Sequence, residues 1–129
     1  MRPAKDDASA DAYETWMRTM VPQWFIDFAI AALLKFKYWI VDPQTDRPDK
    51  EEMNFWSENH QILFASSEYI AGHWFKDHRF KRTQELGSWH KARAEARMER
   101  WLHDRLRFGF CELNSPVYYN EHLPAIFNW

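Results

Sequence analysis

Four polar residues with chemically useful side chains interrupt an apolar stretch near the middle of the chain: Asn54, Glu58, His60 and Gln61. Asn54, Glu58 and Gln61 are spaced by four and three residues, so a helix would place them on one face. His60 lies beside that face. A carboxylate and an imidazole held in a cleft can transfer protons, because burial tunes their pKa values. The alternative is a solvated stripe, or a hydrogen-bond network that locks a buried helix.

A second polar group occurs near the end of the chain and contains Glu112, Asn114, Ser115, Tyr118 and Tyr119. Apolar neighbours in the same segment should hold this loop against the body of the protein. A rigid loop with an acid, an amide and two phenols is a reasonable binding element. The alternative is a loop that only connects two helices.

The elements that must position these two groups are helices. Apolar periodicity and capping residues predict helices over residues 9–20, from 22 to about 41, from about 49 to 75, over 88–108 and over 120–127. Gly109 should end the fourth helix and Asn120 should cap the fifth. The third helix is apolar on two faces, one with Trp56 and Trp74 and one with Ile62, which predicts neighbours on both sides. No β-pattern is present, so the prediction is an all-α fold of antiparallel helical hairpins.

Antiparallel succession would bring the two polar groups to the same end of the bundle. Glu58 and Glu112 would then face one cleft, as acid and base for attack on a glycosidic bond. Alternatively, His60 or Tyr118 would remove a proton α to a carboxylate, as a lyase requires. Asn54, Gln61, Asn114, Ser115 and Tyr119 would bind the ligand.

Composition limits the other classes of function. A length of 129 residues with 46% hydrophobic content fits one helical domain, of which we expect residues 1–8 to be disordered. Because the net charge is −2 and acids interleave with bases, we expect no nucleic-acid partner. The basic residues are predicted to form a solvated helix surface: Arg79, Lys81, Arg82, Arg93, Arg97, Arg100, Arg105 and Arg107.

Targeting and cofactor signals are sparse. The first residues are polar, so no signal peptide is visible, and we expect a soluble protein. The most apolar segment, residues 24–41, is too short and too charged to span a membrane. The single cysteine, Cys111, excludes an intrachain disulfide. His73 and His78 do not share a helical face, so we predict neither a metal nor another cofactor.

Two segments resemble a group of large bacterial proteins. Residues 56–61 read WSENHQ, and residues 109–119 read GFCELNSPVYY. In that group, a WSENHQ helix is followed by a basic helix and a GFSEWNSPxYY loop. Here Cys111 replaces the usual Ser and Leu113 replaces the usual Trp. The resemblance covers residues 31–127 or so.

Those proteins look like α/α-toroid proteins, an architecture of many glycosidases and polysaccharide lyases. The resemblance therefore implies a carbohydrate ligand, with site residues at Glu58, Asn59, His60, Gln61, Glu112, Asn114, Ser115 and Tyr118. A closed toroid needs many more helices than this chain offers, so we expect a fragment, a reduced relative or a subunit. The aromatic C-terminal residues would leave apolar surface for other chains or a second copy. Two hypotheses follow: a carbohydrate-active hydrolase or lyase, and a non-catalytic helical subunit of a larger assembly.

Overall fold

The computed structural model describes residues 19–43, 53–111 and 116–127, without the side chains of residues 116–119 and 121. The described part is all-α, which confirms the all-α part of the prediction. Its helices are α1 (Gln23–Lys35), α2 (Glu58–Trp74), α3 (Gly87–Phe108) and α4 (Pro116–Phe127). Within these residues no strand forms, and one isolated antiparallel bridge joins Arg79 and Leu86.

The chain divides into two compact units, Met1–Leu33 and Leu34–Trp129. The first unit contains most of α1, where the Gln23 side-chain amide donates a hydrogen bond to the Asp27 carboxylate at 2.9 Å. The helix predicted over residues 9–20 is described only at 19 and 20, which are helical. The predicted disorder of residues 1–8 lies outside the described residues. None of the helices in the described ranges has the length and apolar character needed to cross a membrane.

The helix boundaries differ from prediction where polar side chains bind backbone N–H groups. The second predicted helix ends at Lys35 instead of residue 41. The Asp42 carboxylate accepts hydrogen bonds from the backbone N–H groups of Tyr38 and Trp39, both at 3.1 Å, and this favours a turn over a helix. In the same way, Asn54 Oδ1 accepts the N–H of Trp56 at 3.0 Å, and α2 begins only at Glu58.

The later boundaries are closer to the prediction. α3 begins one residue before the predicted start and ends at Phe108 as predicted. Gly109 follows with a φ of 76°, the left-handed backbone that favours glycine, and its N–H donates to the carbonyl of Arg105. α4 begins at Pro116 rather than after Asn120, because proline is well suited to the first helical turn.

α2 and α3 form the centre of the second unit. Their contacts run in opposite order along the chain: the start of α2 meets the end of α3, and Gly72 near the end of α2 meets Gly87. A Cβ on Gly72 would lie 2.6 Å from the carbonyl oxygen of Gly87, so the backbones approach closely there. The main core cluster consists of Ile62, Ala65, Met98, Trp101 and Ala125.

The sequence predicted that two apolar faces of the third helix are buried, and this is correct for the face with Ile62 and wrong for the face with Trp56 and Trp74. Ile62 is fully buried, but Trp56 and Trp74 are 76% and 69% exposed. α2 instead buries Glu58, Asn59, Ser66 and Glu68 along with its small apolar residues. The reason is that buried charges on α2 find their partners on α3, and no property of α2 alone reveals this.

Candidate functional site

Glu58 is the first residue of α2, and its side chain is held by internal partners. Its carboxylate is ion-paired with Arg105, and both of its oxygens lie 3.2 Å from the backbone N–H of Cys111. Its backbone carbonyl accepts a hydrogen bond from the indole N–H of Trp101 at 3.0 Å. The residue is 7% exposed. Glu58 therefore ties the start of α2 to the end of α3 and to the turn that follows.

His60 and Asn59 are arranged around the hydroxyl of Ser57. Ser57 Oγ lies 2.6 Å from Asn59 Oδ1 and 2.5 Å from His60 Nδ1. A hydroxyl has one proton, so if it donates to Asn59, then His60 must carry its proton on Nδ1 and donate to Ser57. This leaves Nε2 of the half-buried His60 as the nitrogen available to accept a proton.

The residues predicted to share one helical face are separated in the structure. Asn54 is exposed and precedes α2, so it cannot share a helical face with Glu58. Gln61 lies within α2, where its side-chain amide donates to the backbone carbonyl of Trp56 at 3.2 Å. The error arose because the sequence predicted a helix start near residue 49, whereas α2 begins at Glu58. The predicted one-face arrangement of Asn54, Glu58 and Gln61 is therefore wrong.

Most side chains of the second predicted polar group lie outside the part of the chain that the structure describes. Glu112, Asn114 and Ser115 lie outside the described residues. Tyr118 and Tyr119 belong to α4, but their side chains are not among those described. The predicted approach of Glu58 and Glu112 in one cleft therefore stays a prediction.

A cavity of about 500 Å³ opens along α3, and we call it the arginine cavity. Its lining residues are Trp39, Gln61, Arg93, Ala96, Arg97, Arg100, Trp101, Asp104 and Arg105. Those on α3 recur every three or four residues, which is the spacing of one helical face. Gln61 is the one member of the predicted site among these lining residues.

Three of the four arginines of the cavity are more buried than the sequence suggested. The side chains of Arg93, Arg97 and Arg105 are 16%, 16% and 17% exposed. The prediction of a solvated basic helix face is wrong for these three residues. Their helical spacing was visible in the sequence, but their acidic partners come from distant segments.

Behind the cavity lies a network of buried charges around Glu68, which is fully buried. Glu68 Oε1 accepts hydrogen bonds from Arg93 Nε at 2.8 Å, and Oε2 accepts from Arg97 Nη1 at 2.7 Å. Arg93 also contacts the buried carboxylate of Asp42, with Nη2 3.0 Å from Oδ2. Because each buried charge has an opposite charge beside it, the network can be tolerated in the interior.

Arg97 combines an aromatic contact with one buried donor that lacks a hydrogen-bond partner within the described residues. Its guanidinium lies over the ring of Trp39, 3.8 Å from the centroid. Within the described part of the chain, its buried Nη2 has no hydrogen-bond partner. Burial lowers the pKa of Arg97 to about 10, although Glu68 opposes the shift. Arg97 is thus still charged at neutral pH and has a spare donor.

A second arrangement of chemically active groups lies on the far side of Glu68. Thr83 Oγ1 is 2.7 Å from His90 Nε2, and His90 Nδ1 is 2.6 Å from Glu68 Oε1. A hydroxyl, an imidazole and a carboxylate in this order form the relay of many nucleophilic enzymes. However, His90 is 1% exposed, and the ring of Phe80 stacks on it at 4.0 Å. We interpret this relay as a structural connection between α2, α3 and the preceding loop.

Among the described side chains, no group of three or more His, Cys, Asp or Glu residues is placed to hold a metal ion. Comparison of the chain with protein-family models, curated proteins and solved structures found no match.

Proposed function

We propose that this chain is a carbohydrate-related helical domain of the α/α-toroid type that binds a saccharide in the arginine cavity. The observation that best supports the proposal is the composition of the cavity wall. Trp39 is half-buried and contributes the part of its indole ring that Arg97 does not cover, and Gln61 contributes an amide that can donate and accept hydrogen bonds. A concave site that combines an aromatic side chain with convergent polar groups is typical of small-molecule binding.

The geometry favours binding over acid–base catalysis. For Glu58 to act as a general acid or base, one of its carboxylate oxygens must lie within hydrogen-bond reach of the substrate. Both oxygens of Glu58 contact the N–H of Cys111, and Arg105 pairs with the same carboxylate. Hydrolysis or elimination by Glu58 and Glu112 is the enzymatic extension of the proposal. It requires that Arg105 leave Glu58 when substrate binds.

The toroid arrangement is also part of the proposal. α2 and α3 are successive helices whose contacts run in opposite order, as in the helical hairpins that build such arrays. We propose that α4 and further helices extend this row. Several helices would then surround the arginine cavity in the complete array.

The test is saccharide binding by the full chain, measured on a panel of oligosaccharides by calorimetry. Gln61→Ala should weaken binding by about fivefold or more, because the lost amide leaves ligand hydroxyls without a partner. Trp39→Ala should have a similar effect. Trp74→Ala is the matched control, because Trp74 is 69% exposed and does not line the arginine cavity. Absence of any saccharide binding, or equal binding by Gln61→Ala, would contradict the proposal.

A second candidate function is a non-catalytic helical subunit that binds other chains or a second copy. It is favoured by large apolar side chains that remain exposed at the end of α3. Leu106 is 89% exposed and Phe108 is 71% exposed. Side chains of this size on the surface often mark an interaction site when they are contiguous.

Light scattering on the purified chain tests this candidate. The expected result is a dimer or a higher oligomer that dissociates when Leu106 and Phe108 are both changed to Ser. Arg107→Ser is the matched control, because it alters the same helix end without removing apolar surface. A monomer at all concentrations would contradict self-association.

A further inference from the structure

A second, more open cavity of about 580 Å³ lies beside the start of α2, and we call it the loop cavity. Its lining residues are Met53, Asn54, Trp56 and Ser57, all from the segment that precedes the helix. A stable protein interface buries about 800 Å² on each partner. The four residues of this one segment offer far less surface, so the loop cavity suits a small ligand.

Trp56 is the largest side chain of the loop cavity, and the backbone on both sides of it is fixed. Its N–H donates to Asn54 Oδ1 at 3.0 Å, and its carbonyl accepts from the side-chain amide of Gln61 at 3.2 Å. The preceding residue, Phe55, is buried and packs against Phe64 with the ring centroids 4.9 Å apart. The segment is therefore anchored, while the indole of Trp56 remains 76% exposed. A ring on an anchored backbone loses little conformational freedom when it binds a ligand.

Polar groups lie at the edge of this aromatic surface. Asn54 Oδ1 is used by the N–H of Trp56, but the residue is exposed and its amide nitrogen can donate to a ligand. Ser57 Oγ is within hydrogen-bond distance of Asn59 and His60, and one of its two lone pairs remains able to accept. A glucose ring has the matching pattern, since its faces present C–H groups and its edge presents hydroxyls.

Two residues connect the loop cavity with the arginine cavity. Gln61 lines the arginine cavity and donates to the carbonyl of Trp56. Trp39 lines the arginine cavity too, and its ring packs edge-on against Phe55, with the centroids 6.1 Å apart. The two cavities are therefore neighbours on the surface of the second unit.

We propose that the loop cavity binds one ring of an oligosaccharide, stacked on the indole of Trp56, next to the ring in the arginine cavity. This inference rests on the proposed function and names its ligand class: a chain of β-linked pyranose sugars whose ring faces carry only C–H groups. Such faces pack on an aromatic ring, because both surfaces are apolar. The hydroxyls at the edge of the stacked ring pair with Asn54 and Ser57.

Calorimetry on the full chain tests the inference, with cellopentaose, a chain of β-linked glucose, as the probe. Trp56→Ala should weaken its binding about tenfold, the factor expected when one face of an indole no longer leaves water. Trp56→Phe keeps an aromatic face and should recover most of the affinity. Trp74→Ala is the matched control and should bind as the wild type does, because Trp74 is similarly exposed and lines neither cavity.

Tryptophan emission is a second measurement, and it reports where the ligand lies. A sugar ring over Trp56 removes water from an exposed indole, so cellopentaose should shift the emission of the wild type to shorter wavelength. The shift should persist in Trp74→Phe and be clearly smaller in Trp56→Phe. Equal shifts in the two variants would overturn the inference.

The outcomes for the two proposals are distinguishable. Full affinity of Trp56→Ala together with weakened binding by Trp39→Ala would overturn the inference and support a saccharide in the arginine cavity. The reverse pattern would support the loop cavity and contradict the proposed site. A dimer that dissociates in Trp56→Ala would show that the ring covers a second copy, and this would also overturn the inference. If cellopentaose does not bind and another oligosaccharide does, the inference fails and the proposed function stands.

Discussion

Glu68 is the residue whose change should reveal most about how this fold is held together. We consider Glu68→Gln, which keeps the size of the side chain and removes its charge. In the native protein, the carboxylate is fully buried and accepts hydrogen bonds from His90, Arg93 and Arg97. The amide keeps one acceptor oxygen and turns an NH2 group toward donors that need an acceptor.

The expected loss follows from the charges left behind. Arg93 retains the carboxylate of Asp42, but Arg97 loses its carboxylate partner. Breaking a buried ion pair by removing one partner costs about 3–5 kcal/mol. Since the whole free energy of unfolding of a domain is about 5–15 kcal/mol, this change should remove a large part of it.

Urea unfolding followed by tryptophan fluorescence measures this loss. The midpoint for Glu68→Gln should fall by at least about 1 M. Glu99→Gln is the control, because Glu99 is exposed on α3, and its effect should be within about 0.5 kcal/mol. Adding Arg97→Met to Glu68→Gln should recover stability, since the unpaired charge is then removed. A midpoint shift no larger than that of Glu99→Gln would refute this reasoning.

Three further predictions concern other parts of the second unit. Glu58→Gln should lower the free energy of unfolding by about 2–4 kcal/mol, because Arg105 then loses its counter-ion; urea unfolding measures it. Gly72→Ala should lower it by about 1–3 kcal/mol, since the added Cβ would lie 2.6 Å from the backbone oxygen of Gly87; thermal unfolding measures it. Burial, and next the charge of Glu68, raise the pKa of Tyr38 well above its usual 10.0. Tyr38 ionises at a lower pH in the unfolded chain than in the folded protein, so the free energy of unfolding should fall as the pH rises above about 10. In the Tyr38→Phe variant, the free energy of unfolding should fall less steeply over the same pH range.

Each of these predictions has an outcome that contradicts it. A Glu58→Gln protein as stable as the wild type would mean that the carboxylate has no structural role. For Gly72→Ala, the matched control is Ser67→Ala on the exposed side of α2, and equal melting temperatures would contradict close helix packing. Identical alkaline unfolding profiles for the wild type and Tyr38→Phe would exclude Tyr38 as the group responsible.

Much of the secondary structure could be predicted from the sequence, because its signals are local. The periodicity of α3 and the glycine after it predicted a helix that ends at Phe108, and the structure confirms that end. The errors in the helix boundaries arose where polar side chains compete with helical hydrogen bonds for backbone N–H groups. Asp42 and Asn54 bind backbone N–H groups close to them in sequence, and both predicted helices are shortened there.

The candidate site was predicted less well, since it depends on contacts between distant segments. Asp42 and Arg93 are separated by 51 positions, and Glu68 and Arg93 by 25. Helical spacing puts Arg93 and Arg97 on one face, but it does not say whether that face meets water or acids. The sequence alone determined the helices and the presence of their charges. Only the packing of α2 against α3 decided which charges are buried as pairs, because desolvation and pairing arise only when the helices meet.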